Sequence, residues 1–173
     1  MYNRLGRFVL MAIFAISLLA CLYLRQYQLA SISGLLLSFM LWSHFKHGSV
    51  LLASKYFRKS DYEKTEKILN EVENPDMLSK GRRGFYEFMR ANIALKREDF
   101  ETAELHFQIA SRFPLGGKND KAYVLINLAN LALRKKDAER ALVYAEKAKE
   151  LTTSSRATEI ITKIEKEARK MAN

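Results

Sequence analysis

LASKYFRKSDYEKTEKIL from Leu52, RANIALKREDFETAELHF from Arg90 and LANLALRKKDAERALVYA from Leu128 decide how this chain is read. The three stretches superimpose without gaps at an offset of 38 residues. Matching columns include Ala53/Ala91/Ala129, Tyr56/Ala94/Ala132, Thr65/Ala103/Ala141, Leu69/Phe107/Ala145 and Val72/Ala110/Ala148. An aspartate recurs at Asp61, Asp99 and Asp137, each opening an apolar-periodic run, where its side chain can accept backbone N–H bonds as an N-cap. Each copy therefore predicts two helices meeting at the aspartate. First helices are expected near 46–59, 82–97 and 120–135, and second helices near 62–73, 100–113 and 138–151. Small residues in the shared columns let neighbouring helices approach closely. The glycines and prolines of this region gather at Pro75–Gly84 and Pro114–Asp120, which reads as turns between copies.

Outward from the third copy, Ser155–Ala172 predicts one more helix with Ile160, Ile161, Ile164, Ala168 and Met171 on one face. Such a stripe covers the open end of a stack of helical pairs, with Lys163, Lys166, Arg169 and Lys170 left to water.

Three tandem two-helix copies with a small residue in the first helix and alanine or threonine early in the second resemble tetratricopeptide repeats. Pro75 and Pro114 stand near that family's closing proline. The resemblance covers Ser49–Thr152, with four more residues per period than the family's ~34 and without its signature Trp and Gly. It implies an all-α, right-handed solenoid whose first helices line a concave groove for extended peptides or other helices. On that plan Phe57/Leu95/Leu133 and the adjoining Arg58/Lys96/Arg134 fall on or near the groove. Asn92 and Asn130 take equivalent positions, and Phe85, Phe88, Tyr123 and Ile126 lie a turn or two earlier. Asparagine amides can bond a peptide backbone and a basic ladder can attract carboxylates. The pattern is similar in part to the carboxylate-clamp subset, which binds acidic chaperone tails, although Val50 and Met89 stand where that clamp needs polar residues.

Outward in the other direction the chain changes character. Phe8–Leu24 and Leu29–Phe45 are each 17 residues without a formal charge. At ~1.5 Å per residue each reaches roughly 26 Å, slightly short of a ~30 Å hydrocarbon core. Arg25-Gln26-Tyr27-Gln28 between them suits a tight hairpin. Tyr23 and Tyr27 at the tip, with Tyr2 and Trp42 at the base, suit two interfacial belts. Ala30, Gly34 and Ser38 recur every four residues, a stripe that admits a close helix neighbour. Arg4, Arg7, Lys46, Lys55, Arg58 and Lys59 flank the base, which by the positive-inside rule puts both termini in the cytoplasm of a bacterial-type cell with the hairpin in its inner membrane. A rival reading takes Leu18-Leu19-Ala20-Cys21 as a lipoprotein signal ending at a lipidated Cys21.

The chemistry-bearing residues are few. One cysteine excludes a disulfide framework within the chain, and the three histidines, His44, His47 and His106, do not form a zinc-ligand pattern. No nucleophile–base set, phosphate-binding glycine loop or HExxH motif is present. The reading is of a non-enzyme without cofactor or metal. The net charge of +10 could favour anionic lipid headgroups or nucleic-acid phosphates, and without an RNA-recognition signature the second is the weaker partner.

The sequence thus predicts a transmembrane hairpin (1–45), three helix-turn-helix repeats (46–152) and a capping helix (153–173). The expected function is a membrane-anchored scaffold that binds a protein or peptide. The alternatives are an accessory subunit docked into a membrane complex through its hairpin, and a lipid-anchored periplasmic module.

Overall fold

The structure, a computed structural model, describes the backbone of residues 4–47 and 49–172 and the side chains of residues 6, 8–42 and 49–171. Among these residues it is all helix, with no strand. The chain divides into two compact units, Met1–Arg82 and Arg83–Asn173.

In the first unit α1 (Arg4–Tyr23) and α2 (Tyr27–His47) pack as a helical hairpin. The turn closes on Arg25, whose φ of 54° lies in the left-handed region, with Gln26 N–H donating to the Cys21 carbonyl. Met11 and Ala30 are buried, Leu18 touches Gly34, and the Ser17 and Ser33 hydroxyls lie 3.3 Å apart. Beyond the hairpin α3 (Val50–Arg58) and α4 (Tyr62–Leu69) form the first helical pair, closed on Val50, Ala53, Thr65 and Leu69. Ser49 donates to the Glu71 carboxylate at 2.9 Å.

Among the described residues no helix is long and apolar enough to cross a membrane. This finding corrects the expected two-span hairpin, and with it the inner-membrane localisation and the cytoplasmic placement of both termini. Tyr2 is outside the described residues, and Arg4, Arg7 and Lys46 are outside the described side chains.

The second unit contains α5 (Lys80–Lys96) from Arg83 onward, α6 (Phe100–Ser111), α7 (Lys118–Arg134), α8 (Ala138–Leu151) and α9 (Ser155–Ala172). α7 is central and packs on α6, α8 and α9. One continuous core joins Ala91, Ala103, Phe107, Ala129, Ala141, Ala145 and Ile161, all fully buried. The alanine columns let backbones approach, so Phe107 can fill the space between them; deleting such a side chain costs ~3–5 kcal/mol.

Each helical pair turns the same way. Asp61 accepts from Lys64 N–H, Asp99 from Thr102 N–H and Asp137 from Arg140 N–H, the expected caps. The residue before each, Ser60, Glu98 and Lys136, has φ near +60°. Their N–H groups, and those of the aspartates, bond back to the end of the preceding helix, as Asp99 N–H does to the Ala94 carbonyl at 3.0 Å. This is a Schellman closure built without glycine.

The main departures are the end of one helix and the buried face of another. α4 stops at Leu69, capped by Asn70, and a 3-10 turn over Pro75–Met77 follows a short irregular stretch. On α9 the buried stripe is Ile161, Ile164 and Ala168, whereas Ile160 and Met171 are exposed. Residue 160 sits one position, about 100°, round from 161.

Candidate functional site

On α5 the residues Phe85, Phe88, Asn92 and Lys96, and on α7 Tyr123, Asn127, Asn130 and Arg134, recur at three- and four-residue spacing. Each set therefore occupies one helical face. The structure brings part of these sets together. Phe88 and Tyr123 meet edge to face at 5.8 Å between ring centres, and the Tyr123 hydroxyl donates to Asn92 Oδ1 at 3.4 Å. Asn92 Nδ2 donates to the Phe88 carbonyl one turn back, and Asn127 Nδ2 does the same to Tyr123. These bonds hold both amides in one orientation. Tyr123 keeps 46% of its surface exposed although it anchors this cluster.

Beside Tyr123, α7 and α9 enclose a concavity of about 560 Å³. Ile126, which is buried, and the half-buried Ala157 line it with Tyr123 and Ile160 as its apolar part, and Asn127, Asn130 and Arg156 supply polar groups. Its lower end is pinned by Asn119, whose Oδ1 accepts from Thr153 N–H at 3.2 Å and from the Thr153 hydroxyl at 3.4 Å. An apolar trough with a few polar groups at the rim can hold two or three side chains of an extended segment. A tyrosine half in and half out of water is well suited to such a contact.

The other residues expected at the groove are placed as follows. Phe85 is half-buried against Gly116, beneath the α6–α7 loop. Lys96 and Arg134 end α5 and α7; Arg134 lies with its guanidinium 3.7 Å from the Phe100 ring centre, which commits it to α6. Leu133 is buried and Leu95 packs against the core, so neither lines a groove. Arg58 belongs to the first unit, where with Leu51, Leu52, Ser54, Lys55 and Lys59 it borders a separate shallow concavity on α3. Of the small stripe on α2, Ala30 is buried and Gly34 half-buried against α1, while Ser38 is exposed. The stripe mainly closes the hairpin on itself.

No protein-family model, curated protein or solved structure matches the chain. Its chemistry has to be argued from its own side chains.

Two buried carboxylates were not legible in the sequence. Glu87, 2% exposed, receives Arg83 Nε at 2.8 Å on one oxygen and His106 Nδ1 on the other, tying α5 to α6. Glu104, also buried, receives Lys135, Arg140 and Gln108, tying α6 to the α7–α8 turn. Each carboxylate is occupied by cations and amides of its own fold, an arrangement for bracing helices. His106 is thus an inter-helix residue. Among the described residues no group of three His, Cys, Asp or Glu is placed to hold a metal ion. His44 and His47 lie outside the described side chains, and Cys21 is a half-buried free thiol on α1.

The titration shifts belong to the helix caps. Thr102, through its hydroxyl and then its N–H, holds the Asp99 carboxyl below the usual 3.8. The N–H of Arg140 and then its guanidinium do the same for Asp137, while Asp137 raises Arg140 in return.

Proposed function

We infer that the second unit is a non-enzymatic binding module, built on the tetratricopeptide plan, that takes an extended polypeptide along α5, α7 and α9. The observation that carries this reading is Tyr123. It is an exposed aromatic fixed by Phe88 and Asn92 at the mouth of the α7–α9 concavity, pre-ordered for contact with a partner. Ile160 offers a second apolar contact across the trough, and Asn127, Asn130 and Arg156 offer acceptors, donors and one cation to a peptide backbone. The alanine columns support the repeat plan. The basic ladder Arg58/Lys96/Arg134 has less support, because Arg134 is engaged with Phe100 and Arg58 lies in the other unit.

The test is selection of unstructured displayed peptides on the full chain, followed by affinity measurement with variants. Tyr123→Ala is expected to weaken the selected peptides by at least tenfold, since hot-spot tyrosines cost ~2 kcal/mol or more when truncated. Charge reversal of Lys96 is expected to change affinity little. Selected peptides that bind Tyr123→Ala undiminished would remove the site from α7.

A further inference from the structure

The N-terminal hairpin carries the largest exposed apolar surface of the described molecule. Ile16 and Leu19 on α1 are each 67% exposed, and on α2 Leu35 is 71% and Phe39 63% exposed. Exposure is not confined to a stripe. Along α1 it passes through Phe8, Val9, Ile13, Ile16, Leu19 and Leu22, which span about half the circumference, turned away from α2, and on α2 Leu29, Leu35, Phe39 and Trp42 lie on the side turned away from α1. A hairpin that docks on one protein neighbour shows a single apolar side, whereas one whose two arms are both apolar on their outward halves needs apolar surroundings on more than one side. Patches of this extent are not left in water.

Charge narrows the occupant further. The first 60 residues hold seven Lys and Arg and no acid. Three of the cations, Lys55 and Arg58 on α3 and Lys59 at its C-cap, lie exposed, and α3 begins three residues after α2 ends. By contrast the outward faces of α5 to α9 alternate both signs, as the Lys149–Glu165 and Lys163–Glu159 pairs illustrate.

We propose that the α1–α2 hairpin beds its outward faces in the acyl layer of an anionic lipid surface, with the α3 cations on the headgroups. This is contact with a lipid layer and requires no passage across it. It is independent of the peptide site on the second unit. A second copy of the chain is the competing occupant; a two-fold contact covers one face of the hairpin and leaves the opposite arc bare.

Trp42, the sole tryptophan, is 54% exposed near the base of α2 and reports on its surroundings directly. The full chain is mixed with vesicles of phosphatidylcholine, alone or with about one-third phosphatidylglycerol, carrying bromine on the acyl chains. Trp42 emission is expected to shift to the blue and to be strongly quenched by the bromine. Leu19→Lys with Leu35→Lys should lower vesicle partition by at least about fiftyfold. Replacing Lys55, Arg58 and Lys59 with Gln should lower it about fivefold per cation, and only on the anionic vesicles. Trp42 left unquenched, with the chain sedimenting as a lipid-free oligomer, would overturn the proposal in favour of a second copy. Equal partition of the double-lysine variant would overturn it as well. If that variant loses helix by circular dichroism, quenching in the unaltered chain decides alone.

Discussion

The N-terminal hairpin and the C-terminal repeats draw on similar apolar residues and place them oppositely. In α1 and α2 the large side chains point outward, and the helices meet through Ala30, Gly34 and Ser33. In α5 to α9 the large side chains, Phe107 and Leu128 among them, point inward between alanines, and the outward faces carry charge. Hydrophobic content alone therefore says little about a core. What matters is whether the apolar positions repeat with the helix period and leave a polar arc, as the repeats do and the hairpin does not.

The sharpest way to break this contrast is to truncate one side chain from each region. Phe107→Ala should cost ~3–5 kcal/mol of second-unit stability in urea titration, because the residue is fully buried. Leu35→Ala, at an exposed position, should leave that transition unmoved. Next in size is Glu87→Ala, expected to cost about 3 kcal/mol because it strands Arg83 and His106 against a buried site. A milder loss would show that water replaces the carboxylate.

Two glycines on one helix sharpen the contrast further. A Cβ on Gly84 would sit 2.8 Å from the Pro114 carbonyl oxygen and 3.1 Å from Phe113 Cβ, so Gly84→Ala should cost ~1–3 kcal/mol. Gly81 has open space, so Gly81→Ala should be neutral or stabilising by up to ~1 kcal/mol. The smallest effects belong to the turns. Glu98→Gly and Lys136→Gly should each stabilise by ~0.5–1 kcal/mol, as left-handed φ costs glycine nothing.

The caps add a pH dependence of known sign. Asp99 and Asp137 have folded values below 3.8, so their contribution is complete above that pH and is lost as pH falls through the depressed values. Stability in urea should decline as pH falls through these depressed values, with Asp99→Asn and Asp137→Asn flattening that part of the slope.

Much of the fold was legible because close helix packing needs small residues in fixed places. Ala53, Ala91 and Ala129 are each fully buried, as are Thr65, Ala103 and Ala141. The three aspartate caps were legible for the same local reason. Glu87 and Glu104 were not, because an acid in an amphipathic helix reads as solvent-facing until its partners on another helix are known. The groove was half legible. Register put Phe88, Asn92, Tyr123 and Asn130 on one side, but only coordinates show Arg134 turned onto Phe100 and Ile160 of α9 forming a wall. The expected spans failed because no described helix is both long and apolar enough to cross a membrane; the sequence already showed each run to be slightly short, a shortfall that flanking arginines do not make good.

The central claim, that the α5–α7–α9 face of the second unit grips an extended polypeptide, is tested most directly by amide NMR of the full chain titrated with a selected peptide. Shifts should gather at Asn92, Tyr123, Asn127, Asn130 and Ile160. Shifts gathered instead on the opposite helices, at the exposed Leu105 of α6 and Val143 of α8, would contradict it.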